Sequence, residues 1–105
     1  MADWDTKEVI LHLLENKRQR KILMDLYENR IPFNKLKKKS NIKSSTTLVR
    51  DLKFFDTIGL LVNVFERTEE GSYSYYELNH FGKRVAQIII ELEQEVDKKI
   101  REIAA

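Results

Sequence analysis

The chain has 105 residues, room for one domain, and its 42% hydrophobic and 10% aromatic content is enough for a folded core. Charged residues reach 34%, above the average for soluble proteins, so a highly charged globule is expected. The absence of cysteine excludes a disulfide framework, a thiolate zinc cluster and a cysteine nucleophile, and one proline with three glycines argues for a mostly helical class. No apolar run approaches the roughly 20 residues of a membrane span, and Met1-Ala2-Asp3-Trp4-Asp5 is acidic, unlike a secretory leader. A cytoplasmic location is the expectation.

The net charge of +2 hides a strong asymmetry. From Lys17 to Lys53 there are twelve Lys or Arg against three acids (Asp25, Glu28, Asp51), net +9, whereas residues 1–16 carry −3 and residues 54–105 carry −4. Basic charge concentrated in one third of a chain attracts polyanions at long range, although a charge run alone is more often a solvated face.

In chain order, Asp5 caps a first helix with Glu8 three residues on, and Trp4 precedes the cap as a staple toward Val9. Val9, Ile10, Leu13 and Leu14 form its apolar stripe to about Glu15. Asn16, with Gln19, opens a second helix through Ile22, Leu23, Leu26 and Tyr27. Pro32 suits the first position of a brief third helix with Phe33 and Leu36 inward and Lys35, Lys37, Lys38 and Lys39 outward. Ser40-Asn41 reads as a turn backed by Ile42. Ser44-Ser45 then caps a fourth helix in which Leu48, Leu52 and Phe55 face inward, ending before Gly59. Leu60 to Arg67 and Tyr73 to Leu78, separated by Thr68-Glu69-Glu70-Gly71-Ser72, give a β-hairpin signal. Asn79 caps a long last helix over His80–Ile103, with Phe81, Val85, Ile88, Leu92, Val96, Ile100 and Ile103 at steps of three and four.

Two helices joined by a tight turn, with a hairpin directly after the second, make a winged helix-turn-helix arrangement. The stretch from Asn16 to Gly82 resembles the ArsR and MarR groups of prokaryotic winged-helix regulators. It does so through Arg20-Lys21-Ile22-Leu23-Met24-Asp25-Leu26, Phe33 and Leu36, Ser45-Thr46-Thr47-Leu48-Val49-Arg50-Asp51-Leu52, Ile58-Gly59-Leu60-Leu61, and Tyr75-Tyr76-Glu77-Leu78-Asn79 with Gly82. The resemblance covers about two thirds of the chain and implies a single domain over residues 1–105, α+β in class, with a winged core at 16–82 and a C-terminal dimerisation helix at 80–104. Three features depart from the groups' pattern: the wing tip is Glu69-Glu70-Gly71, the turn before the recognition helix is one residue longer than the commonest ArsR spacing, and lysine follows Leu36.

A groove-reading helix needs an apolar inner face and a polar or cationic outer face. With Leu48, Leu52 and Phe55 inward, Ser45, Thr46, Val49, Arg50 and Lys53 face out. Arg50 can grip guanine, Val49 can touch a thymine methyl, and Ser44 with Ser45 can hold a phosphate. The alternative for Arg50 is an ion pair with Asp51 or Glu28. Lys35, Lys37, Lys38, Lys39 and Lys43 are expected to anchor phosphates, with Arg67 at the base of the wing, whose acidic tip would be repelled by the DNA backbone.

The last helix, about 36 Å long at 1.5 Å per residue, outruns the body that the preceding residues can build. Phe81, Val85, Ile88, Ile89, Leu92, Val96, Ile100 and Ile103 are therefore assigned to a homodimer interface, shared with the N-terminal helix. His12 and His80 have no histidine at metal-site spacing, no P-loop or dinucleotide fingerprint occurs, and no serine sits in a recognised catalytic motif. The expectation is a non-enzyme without metal or cofactor, binding double-stranded DNA as a transcription regulator. The alternative is a winged-helix protein-interaction module within a larger assembly. Abundant Lys, Glu and Ile without Cys suit a thermophile such as an archaeon.

Overall fold

The computed structural model describes residues 4–105, so the acidic start at residues 1–3 lies outside it. Helices α1 (Thr6–Glu15), α2 (Lys17–Glu28), α3 (Phe33–Lys39), α4 (Ser45–Thr57) and α5 (His80–Ala104) accompany a small sheet of β1 (Ile31–Pro32), β2 (Leu61–Thr68) and β3 (Gly71–Leu78). Four helix starts are fixed by side chains of the preceding residue. Asp5 accepts from the Glu8 N–H, Asn16 from Gln19, Ser44 from Thr47 and Asn79 from Gly82. Each bond satisfies an amide that has no partner within its helix.

The core is built where the apolar stripes converge. Ile22, Leu23 and Leu26 of α2, Leu36 of α3 and Leu48, Leu52 and Phe55 of α4 are buried together with Leu60, Leu61, Leu78 and Ala86. Between α3 and α4, Asn41 takes a left-handed conformation (φ 57°), which returns the Ile42 N–H to the Lys37 carbonyl at 2.9 Å and drives Ile42 into the core. Gly59, at φ 79°, ends α4 in the same manner.

The sheet corrects the sequence reading in two places. Ile31 and Pro32 form a two-residue strand opposite Tyr76 and Tyr75, so the sheet has three strands in the order β1-β3-β2. Pro32 is thus the residue before α3 rather than its first. Its extended backbone (φ −66°, ψ 153°) suits both roles, since an edge strand tolerates a missing N–H. The hairpin also closes earlier than expected: Thr68 pairs with Gly71, leaving Glu69-Glu70 as a two-residue loop.

α5 is the longest element, with 25 residues. Gly82, Ala86 and Ile89 hold its first half to the body, and from Glu91 onward every residue is exposed. The helix thereby gives the protein its elongated dimensions of 57 × 33 × 28 Å.

Candidate nucleic-acid interface

α4 is fastened to the body by its inner face and presents its outer face to solvent. Leu48 and Phe55 are completely buried, whereas Ser44, Ser45, Thr46, Val49, Arg50 and Lys53 are exposed. Arg50 takes part in no ion pair among the described residues, because both of its suggested partners are engaged elsewhere. Glu28 meets Lys39 at 3.2 Å, and Asp51 turns the other way. A guanidinium in that state is available for a ligand.

The sequence offers Asp51 as part of a matched stretch and as a possible partner of Arg50, and the structure gives it a distinct duty. It is 1% exposed and accepts hydrogen bonds from Arg18 Nε at 2.6 Å, Arg18 Nη2 at 2.9 Å and Gln19 Nε2 at 2.9 Å. This bidentate grip pins α4 to the start of α2 and fixes which way Arg50 points. The hydrogen bond from Arg18 to Asp51 outweighs partial burial and raises the guanidinium above its ordinary pKa. A second buried acid, Asp25, accepts from Ser40 Oγ at 2.7 Å and Lys21 Nζ at 2.8 Å, tying α2 to the turn after α3. A signal for both was present in the sequence. Asp51 falls within the inward set Leu48, Leu52 and Phe55, and Asp25 within Ile22 and Leu26, so each places a charge on an apolar stripe.

The lysines divide into two groups. Lys37, Lys38 and Lys43 line one shallow basin with Asn34, Asn41 and Ile42 just before α4. Lys35 and Lys39 lie on another face of α3, beside Asn29, Arg30, Tyr73 and Tyr75, and Lys39 is paired to Glu28. On the far side of α4, Val49, Leu52, Lys53 and Asp56 form a cleft with Leu61, Asn63 and Tyr76 of the hairpin. Arg67 is exposed near the wing end of β2. The recognition helix is therefore preceded by a cationic basin and shares a cleft with the wing.

α1 and α5 supply a separate apolar surface. Phe81, Ile88, Leu92, Val96, Ile100 and Ile103 are 48–75% exposed along one face of α5, and Ile10 and Leu11 are exposed on α1. Val85 is partly covered and lines an apolar groove of about 530 Å³ with Trp4, Val9, Ile10, Leu13 and Phe81. Ile89 does not belong to this face. It is 5% exposed, in the protein's own core, because 100° of rotation separates it from Ile88 and aligns it instead with Ala86 and Gly82. His12, which has no metal-type neighbours in sequence, is packed against Phe54 and Trp4 with ring centroids 4.6 and 5.1 Å away.

Helix, turn, exposed helix and hairpin, with the second helix free on its outer side, decide the architecture. The fold is a winged helix-turn-helix. Among solved structures, the winged helix is similar to an HxlR family transcriptional factor from Thermoplasma volcanium, at 28% identity over 93% of this chain and 87% of that one, with a TM-score of 0.66. It is also similar to the transcriptional regulator YodB of B. subtilis (16% identity, 90% and 93% covered, TM-score 0.76) and to the regulator YtfH of Salmonella typhimurium (18%, 98% and 91%, TM-score 0.71). All three neighbours bear the names of transcriptional regulators or factors. No family model and no curated protein sequence matches the chain. Among the described residues no helix is long and apolar enough to cross a membrane, and no three potential metal ligands cluster.

Proposed function

We propose that this winged helix is a sequence-specific double-stranded DNA-binding transcription regulator of the ArsR/MarR type, acting in the cytoplasm as a homodimer without metal or cofactor. The observation that carries the reading is the outer face of α4: Ser45, Thr46, Val49, Arg50 and Lys53 are all exposed, and a basin lined by Lys37, Lys38 and Lys43 lies just before the helix. Those side chains read base edges in the major groove, with Arg50 suited to guanine and Val49 to a thymine methyl. Ser44, Lys37, Lys38 and Lys43 hold phosphates and set the register; Lys35, Lys39 and Arg67 take outlying backbone contacts.

Dimer formation is supported by the overhang of α5. A helix end that projects with Leu92, Val96, Ile100 and Ile103 48–75% exposed is covered most simply by the same helix of a second copy, together with α1. Two-fold symmetry then places two recognition helices about 34 Å apart on successive turns of one duplex face. The apolar stripe on α5 also suits a helix of another protein, as in an interaction module, but that use leaves the cationic face around α4 without a task.

Selection of bound sites from a random duplex library tests the proposal. The expected product is a pseudo-palindromic consensus bound by two chains; recovery of unselected sequences, or of none, refutes specific binding. A gel shift with a salt titration separates DNA binding from the interaction module.

A further inference from the structure

The first turn of α2 faces two ways. Successive helical residues point about 100° apart, so Arg18 and Gln19 reach the Asp51 carboxylate on α4 while Arg20 turns toward α1 and α5. Arg20 Nη1 donates to the Leu14 carbonyl at 2.9 Å, taking up an acceptor left open in the last turn of α1. Its Nε lies 3.0 Å from Glu93 Oε1. Three helices, among them the one assigned to base reading and the one that overhangs, are thereby fastened to a single turn of a fourth.

Glu93 marks where α5 leaves the body. The buried stripe of this helix runs through Gly82, Ala86 and Ile89 at steps of four and three, and the next position in that series is Glu93. Where another apolar residue would continue the seam, a carboxylate meets Arg20. Among the described residues no ion pair or hydrogen bond joins α5 to the body beyond it. At 1.5 Å per residue the buried stripe spans about 10 Å; Glu93 extends the attachment to about 16 Å and leaves about 16 Å free as far as Ala104. A helix held over two turns pivots more readily than one held over three.

We infer that the Arg20–Glu93 pair is a strut that sets the half-site spacing the dimer accepts, with Arg20 and Glu93 as positioning residues. The inference rests on the proposed dimer through α5 and on the major-groove reading of α4. Because α4 is pinned to α2 and α2 to α5, the angle between α5 and the body fixes where the two recognition helices stand relative to each other. One base pair added between half-sites moves them about 3.4 Å apart and turns one about 35° round the duplex. Shared between two copies, that turn asks roughly 17° of each. A swing of this size about Ile89 displaces Glu93, about 6 Å further along the helix, by roughly 1.8 Å. That parts the 3.0 Å pair, so an intact strut holds the dimer to one spacing.

The test measures affinity of the full-length protein for the selected duplex and for versions with one base pair added or removed between the half-sites. The wild type is expected to bind the altered spacings about a hundredfold more weakly, well inside the gap between specific and non-specific binding. Glu93→Gln narrows that preference about fivefold, the ceiling for a half-exposed ion pair, with unchanged affinity for an isolated half-site. Arg20→Ala narrows it at least as far, and the double variant Arg20→Ala/Glu93→Gln no further than Arg20→Ala, because the two residues act as one unit. For Glu93→Gln the Tm and the dimer in sedimentation stay as in the wild type, which separates positioning from loss of fold. An unchanged spacing preference in Glu93→Gln, or losses that multiply in the double variant, overturns the inference and leaves the dimer and α4 readings intact. So does a wild-type dimer indifferent to spacing. A wild-type monomer overturns the dimer reading, and a wild type that binds no duplex overturns the DNA reading, each taking this inference with it.

Discussion

Arg50 and Asp51 are sequence neighbours with opposite duties, and substituting each with alanine separates folding from recognition. Removing the Asp51 carboxylate deletes three hydrogen bonds at 2.6–2.9 Å and strands the Gln19 side chain, which is buried and whose Oε1 has no partner among the described residues. Breaking a fully buried ion pair costs about 3–5 kcal/mol. Arg18, however, has a side chain 43% exposed and can turn to water, so a loss of about 2–3 kcal/mol is expected. For a domain of this size that lowers Tm by roughly 10–20 °C. Because Arg18 is raised above its ordinary pKa in the folded state, its contribution is fully present below that ordinary value and is lost only as pH climbs through the strongly alkaline range. The Tm deficit of Asp51→Ala is therefore the same across neutral pH. Arg50→Ala removes an exposed side chain with no ion pair, so stability changes by no more than about 0.5 kcal/mol. Affinity for the selected duplex falls by about 1–3 kcal/mol, with one base position relaxed and random duplexes affected less. Thermal unfolding by circular dichroism at fixed protein concentration, alongside fluorescence anisotropy on specific and random duplexes, reads both effects. An Asp51→Ala protein that melts with the wild type refutes the role assigned to the Arg18–Asp51 grip. Equal losses on specific and random duplexes for Arg50→Ala refute the division of labour along α4.

Other outcomes follow from the same geometry. Lys38→Ala weakens binding to all duplexes alike and reduces the log–log salt slope by about one, measurable by titrating salt; an unchanged slope removes Lys38 from the phosphate contacts. Gly82→Ala should destabilise by about 3 kcal/mol, since an added Cβ falls on the Leu60 carbonyl oxygen and within 3.2 Å of Leu78 Cβ, backbone and core atoms that cannot yield; chemical denaturation tests this. The double substitution Val96→Glu/Ile100→Glu places charge on the exposed stripe of α5 and should convert dimer to monomer in sedimentation with little change in helical signal. A stable monomer in the wild type would remove the dimer proposal.

The sequence by itself determined what depends on bonds between residues three or four apart. The four capped helix starts, the turn at Asn41 and Gly59, and the inward stripe Leu48, Leu52 and Phe55 are local hydrogen bonding and helical periodicity, legible wherever the residues stand. The outward set on α4 follows from the same periodicity. Tertiary structure decided what depends on distant partners. The Arg18–Asp51 grip joins residues 33 apart, and β1 exists only because β3 runs beside it. Glu28 pairs with Lys39, one of five expected phosphate anchors, and Ile89 goes to the core while Ile88 stays outside. The wing shows the limit most clearly: alternation assigns its residues to two faces, but only the fold shows which face shares a cleft with α4 and that Arg30 pairs with Glu66 on the other. A side chain's surroundings are set by whichever element folds against it, and composition along the chain carries no record of that contact.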